Sequence, residues 1–195
     1  MKRTLTGIAA ALALTVGATR PASAQVVDYS TQYSIDGTNF FASVMQTFGG
    51  ITLTYAGQVA TTVTAPTFGD LGTVTATGTG SGTASGSIWM RIIQTVPSIG
   101  SADISGILAG TVTVSSSLAT INWMNPTNVA NIGVVFYTIE PTGSGITTIN
   151  SPTTGAQTIR GSIIATPEPA SMTLLATGLL GIFGAARRRR KAAQA

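Results

Sequence analysis

Apolar residues recur at every second position through much of this chain, and hydroxyl-bearing or small residues fill the places between. Ile51-Thr52-Leu53-Thr54-Tyr55, Thr73-Val74-Thr75-Ala76-Thr77, Thr111-Val112-Thr113-Val114-Ser115 and Leu118-Ala119-Thr120-Ile121-Asn122-Trp123 all follow this rule. A period of two sends alternate side chains to opposite faces of an extended strand, so each segment predicts a strand with one buried face. Denser apolar runs at Ile88–Ile93, Ile132–Ile139 and Ile159–Ile164 predict central strands covered on both faces. Turn residues fall between these segments, at Asp36-Gly37, Gly49-Gly50, Gly69-Asp70, Asn125-Pro126 and Pro141-Thr142-Gly143. About eight or nine strands joined by short loops predict an all-β fold, a single antiparallel β-sandwich with a jelly roll as its nearest relative. Phe40 to Phe48 suits a strand or a short helix equally.

One stretch breaks the alternation. Thr77 to Gly86 is a low-complexity run of Thr, Ser, Ala and Gly without large apolar anchors, and it predicts a flexible loop. It is not a phosphate loop, because a Walker motif needs a lysine after its glycines and no lysine occurs between Lys2 and Lys191. The dinucleotide pattern fails as well, since Thr83 stands where its third glycine belongs.

Composition agrees with the pattern and narrows the chemistry. Thr, Ser, Gly, Val and Ile dominate, and branched side chains suit a pleated surface. The chain has no cysteine and no histidine, so its stability rests on packing, and zinc and copper sites lack their usual ligands. Nucleophilic and general acid–base catalysis lose their commonest side chains too, and the reading is of a non-enzymatic protein without a cofactor or metal. Five acids remain in the body, Asp28, Asp36, Asp70, Asp103 and Glu140, and these read as solvated turn acids rather than a glycosidase pair. Asp36-Gly37-Thr38-Asn39 offers oxygens for calcium but lacks the repeated acids of a calcium loop, so it reads as an Asp-Gly turn. Trp89 and Trp123 both read as core residues, with stacking on sugar rings as the alternative.

The formal charge of +4 misrepresents the body, because eight of the ten cations lie toward the two ends. From Gln25 to Thr166 there are two cations, Arg91 and Arg160, against the five acids, a net charge of −3. A nucleic-acid partner would find no basic patch there. A lysine-free body also excludes Lys–Asn crosslinks as a source of mechanical strength. At about 140 residues it is the size of one domain.

The ends carry a different message. Lys2 and Arg3 precede an apolar stretch from Leu5 to Ala18, and Ala22-Ser23-Ala24 supplies the small-residue pattern of a signal-peptidase site. Residues 1–24 therefore read as a cleavable export signal. At the other end Pro167-Glu168-Pro169 is followed by an uncharged run from Ala170 to Ala186 and then Arg187-Arg188-Arg189-Arg190-Lys191. As a helix the run would be about 25 Å long, a marginal membrane span that Gly178, Gly181 and Gly184 weaken further. Five consecutive cations stay on the cytoplasmic side, which puts the body on the far side of the inner membrane. The two prolines hold Glu168 extended just outside that membrane, as a protease substrate must be.

Residues 167 to about 191 resemble the PEP-CTERM sorting signal: a Pro-Glu-Pro triplet, one short apolar helix and an arginine-rich terminus, in that order. Pro167, Glu168 and Pro169 match the motif position by position. The resemblance implies recognition by an exosortase, a membrane-embedded cysteine transpeptidase of Gram-negative bacteria that make extracellular polysaccharide and biofilm. The partners it implies are the exosortase, the export machinery and the inner membrane, with extracellular polysaccharide as a further one. The domain organisation expected is thus a signal peptide (1–24), a β-sandwich (25–166) and a sorting signal (167–195) with its transmembrane helix at 170–186. The expected role is that of a surface or biofilm-matrix protein with a structural or interaction function; the alternative is a lectin-like module that grips matrix polysaccharide.

Overall fold

A computed structural model describes residues 24–125, 128–140, 145–166 and 177–178. Residues 24–165 form one compact unit. The described residues hold twelve strands, more than the alternation alone predicts. They are β1 (Gln25–Ser34), β2 (Ser43–Phe48), β3 (Ile51–Gly57), β4 (Thr61–Ala65), β5 (Thr67–Gly78), β6 (Ser81–Val96), β7 (Gly100–Thr113), β8 (Thr120–Asn125), β9 (Val129–Ile132), β10 (Val135–Ile139), β11 (Ile146–Thr148) and β12 (Gln157–Ala165). They form two six-stranded antiparallel sheets, in the orders β11-β8-β7-β6-β1-β4 and β2-β3-β5-β12-β10-β9. The all-β, sandwich-like expectation holds. The meander of consecutive neighbours β6, β7 and β8 departs from the paired Greek keys of a jelly roll.

The core lies between the sheets and takes one face of each strand. Val27, Tyr29, Thr31 and Tyr33 point inward from β1, Ile51, Leu53 and Tyr55 from β3, and Ile88, Met90 and Ile92 from β6. The dense runs obey the same rule, which corrects the expectation that they are covered on both faces. In β6 the intervening Trp89, Arg91 and Ile93 face outward and are only partly covered, and in β12 Arg160 and Ile164 are exposed. A two-layer antiparallel fold has nothing to cover its outer faces. The run Ile132–Ile139 is two strands, β9 and β10, folded back on each other at Gly133 and Val134. Phe40 to Phe48 resolves as a strand, β2.

Two further departures come from contacts distant in sequence. Gly69-Asp70 is not a turn: it lies inside β5, where β12 slips register and Leu71 becomes a bulged residue opposite no partner. The bulge frees two carbonyl groups, and β1 satisfies them from across the core. The Tyr29 hydroxyl donates to the Asp70 carbonyl oxygen at 2.9 Å, and the Thr31 and Tyr33 hydroxyls donate to the Leu71 carbonyl oxygen at 2.7 and 3.1 Å. Gly69 and Gly72 leave room for this, since a β-carbon on either would stand 2.5 or 2.6 Å from a tyrosine hydroxyl. Burial, and less strongly the charge of Asp70, pushes the Tyr29 phenol up to about 12, so it stays a donor throughout the physiological range.

The low-complexity run is not a flexible loop. Residues up to Gly78 belong to β5 and residues from Ser81 to β6, leaving a two-residue turn at Thr79 and Gly80. Ser81 to Gly86 pair with Thr113 to Leu108 of β7. Order here comes from backbone packing, because this turn sits against the Gly49-Gly50 tip of the β2–β3 hairpin. The Gly50 amide donates to the Ser81 carbonyl oxygen at 3.3 Å. A β-carbon at Gly82 would collide with the Phe48 carbonyl oxygen, and one at Gly78 with the Gly50 carbonyl oxygen. Absence of side chains, which reads as flexibility along the sequence, is what lets this turn between the sheets touch the β2–β3 hairpin tip.

Candidate functional site

The body is gathered at its two ends. Gln25 at the start of β1 lies opposite Ala65, and Ile163 near the end of β12 lies opposite Thr67, two residues further along the chain from Ala65. The first and last strands therefore begin and finish at the same end of the unit, one in each sheet. Ala24, the last residue of the predicted signal-peptidase site, is exposed and immediately precedes β1; Ala22 lies outside the described residues. Beyond β12, Thr166 is exposed, and Pro167, Glu168, Pro169, Arg187, Arg188, Arg189, Arg190 and Lys191 lie outside the described residues. So does the predicted span 170–186 apart from Thr177 and Gly178, which are helical. Among the described residues no helix is long and apolar enough to cross a membrane.

The two tryptophans part company. Trp123 of β8 is fully buried, and its indole N–H donates to the Thr147 hydroxyl of β11 at 2.9 Å. Trp89 is corrected from core to outer face: its β6 neighbours Ile88 and Met90 turn inward, and the Trp89 indole lies half-buried under the β1–β2 connection. A β-carbon on Gly37 would stand 3.1 Å from its ring. The Trp123 indole thus offers no open face for stacking on a sugar, and part of the Trp89 ring is taken up by Gly37.

Beside Trp89 on the same face, Arg91 is held from two sides. Its guanidinium makes two parallel hydrogen bonds of 2.8 Å to the Asp103 carboxylate, directly across the β6–β7 ladder, and lies 3.7 Å from the centre of the Phe40 ring. This stack clips the β1–β2 connection to the outer face of the first sheet. Alternation in Trp89-Met90-Arg91 puts Trp89 and Arg91 on one face, but Phe40 joins them only through tertiary folding.

Asp36 organises the rest of that connection. Its carboxylate accepts from the Ser34 hydroxyl at 2.7 Å, from the Thr38 and Asn39 amides at 2.8 and 2.9 Å, and from the Asn39 side chain at 2.8 Å. Its oxygens are thus engaged by the turn itself, as the Asp-Gly turn reading expects. These bonds, led by the Asn39 amide, hold the carboxyl well below the usual carboxylate range. A depressed folded-state pKa adds stability that is present above the unfolded value near ~4 and is lost as pH falls below it. An Asp36→Asn variant should therefore melt below the parent at pH 7, with the gap narrowing as pH is lowered from about 4. Paired thermal melts followed by circular dichroism across that range check the expectation.

The other acids are spread out. Asp28 lies within β1 and Asp103 within β7, so they are strand residues rather than turn acids. Asp70 sits at the β5 bulge, 3.9 Å from Arg160 across the outer face of the second sheet. Glu140 follows β10 and lines an open cleft of about 590 Å³ with Phe68, Thr147, Gln157 and Arg160. Among the described residues no three acids gather as a metal site would need. No local pattern in the sequence signals this cleft, because β5, β11 and β12 contribute to it from distant parts of the chain.

No curated protein and no solved structure matches this chain. Residues 165–190 match the family model described as the PEP-CTERM protein-sorting motif, and the chain is accordingly a PEP-CTERM domain-containing protein.

Proposed function

We propose that this protein is exported, held briefly by its C-terminal helix in the inner membrane with the body outside the cytoplasm, cleaved by an exosortase near Pro167-Glu168-Pro169, and delivered to the cell surface or the exopolysaccharide matrix. There its β-domain acts as a non-enzymatic structural or interaction module. The observation that carries this reading is the sorting motif at residues 165–190. Its placement supports the reading: the last strand ends at Ala165, and the Pro167-Glu168-Pro169 triplet follows with one intervening residue, Thr166. Severing the chain there removes no strand of the core. The Arg187–Lys191 cluster supplies the stop that keeps the tail inside. The lectin-like alternative has less support, because Trp123 is enclosed and part of the Trp89 ring lies against the β1–β2 connection.

Fractionation of producing cells with and without the sorting peptidase tests the reading. Immunoblots should show a shorter, surface-located form only where the peptidase is present, and a longer membrane-bound form where it is absent. The same size and location in both strains would reject it.

A further inference from the structure

The end of the body at which β12 finishes carries exposed apolar side chains from both sheets. On the outer face of the second sheet Phe136 of β10 lies directly opposite Ile164 of β12, and both are exposed. In the first sheet Val96 closes β6, and Ile99 stands 89% exposed in the β6–β7 turn. The two sets share one end because that turn is tied to the turn between β9 and β10. The buried Gln94 side chain accepts from the Tyr137 hydroxyl at 2.8 Å and donates to the Ser98 carbonyl oxygen at 2.9 Å. Gly133 packs so closely on the same turn that a β-carbon there would collide with the Ser98 hydroxyl. Ile99 is thus an apolar side chain held out to solvent on an anchored turn, an arrangement that core packing does not require. Charge on the second sheet's outer face lies further in: Arg160 is four residues from Ile164, about 13 Å at the rise of a strand. Among the described residues one charge, Asp28, sits near this end, opposite Val96.

We propose that this apolar rim docks on the phospholipid surface of the membrane that holds the tail, with Ile99, Phe136 and Ile164 entering the headgroup region. The inference rests on the anchoring given under the proposed function. What commits the rim to lipid is the length of chain beyond it. Ala170, where the apolar run begins, is six residues after Ile164, so even at full extension the rim stays within about 20 Å of that point. Exposed apolar patches mark surfaces that a partner or a membrane covers. A tether this short keeps the local concentration of lipid at the rim high, so a contact that is weak alone persists while the tail is anchored. Cutting near Pro167-Glu168-Pro169 removes the tether and with it the docking, which frees the body to leave. The contact is apolar rather than electrostatic, because the body has two cations against five acids and no lysine to meet anionic headgroups.

The absence of cysteine makes the test direct, since one introduced thiol can carry a polarity-sensitive fluorophore. Full-length Ile99→Cys and Leu118→Cys variants are labelled and reconstituted into phosphatidylcholine vesicles. Leu118 is the control: it is 82% exposed, but it bonds to Thr111 near the other end of β7. Lipids brominated in the upper acyl chain should quench the Ile99 label at least about threefold more than the Leu118 label, as insertion of one end into the interface requires. Added salt, or replacement of half the lipid by phosphatidylglycerol, should not strengthen that quenching. Serine at both Phe136 and Ile164, with the fold checked by circular dichroism, should bring the Ile99 label down to the Leu118 level. Equal quenching of the two labels, or none, in a chain that floats with the vesicles would overturn the docking alone. A chain that does not float with them would overturn the anchoring and the docking together. An Ile99 label that shifts to the blue without being quenched is covered by protein, such as a second copy, and would overturn lipid as the occupant.

Discussion

Trp123→Ala should remove about 3–5 kcal/mol of stability, the range for truncating a buried tryptophan. Against a total of about 5–15 kcal/mol for a domain, that is a large share of the whole. Trp123 is fully buried in β8, and its N–H is the partner of the Thr147 hydroxyl, itself buried in the three-residue strand β11. Losing the ring opens a cavity under the first sheet and also strands that hydroxyl. Trp123→Phe keeps most of the apolar area and loses the hydrogen bond, so its cost should be smaller, about 1–3 kcal/mol. Urea unfolding followed by far-ultraviolet circular dichroism measures both. A Trp123→Ala variant with an unchanged midpoint would mean that the ring is not in the core.

Gly82→Ala should cost about 1–3 kcal/mol or more, although alanine ordinarily stabilises a strand relative to glycine. The new methyl would meet the Phe48 carbonyl oxygen, a backbone atom that cannot rotate aside. Thr79→Ala, three residues earlier, removes an exposed side chain from the turn and should change stability by less than about 0.5 kcal/mol. A flexible linker would respond to neither substitution. The contrast between the two variants in the same unfolding assay therefore reports whether the β5–β6 turn and the β2–β3 hairpin tip pack as described.

These two cases show what the chain made legible and what it hid. Period-two alternation identifies residues that share a face, and it correctly grouped Ile51, Leu53 and Tyr55, and likewise Ile121 and Trp123. It does not say whether an apolar residue on the opposite face is covered. Trp89 reads as core because it sits among apolar neighbours, yet its position in β6 turns it outward. The glycine-rich tip and the β5 bulge escaped for a different reason. Each is ordered by atoms that lie some 30 to 40 residues away in sequence: the Phe48 and Gly50 carbonyls in one case, the hydroxyls of Tyr29, Thr31 and Tyr33 in the other. Local composition is silent about such contacts. The sorting signal lies at the opposite extreme. It acts as a linear peptide, so its triplet, its apolar run and its basic cluster can be read without any fold, and the family match falls on those same residues.

The most direct test is the mass of the C-terminal peptide of the protein recovered from the cell surface. Sorting at the Pro-Glu-Pro site predicts that the chain ends within Thr166–Ala170 and that peptides containing Leu174 to Ala186 are missing. A surface form that still carries the apolar run and ends at Ala195 would contradict it.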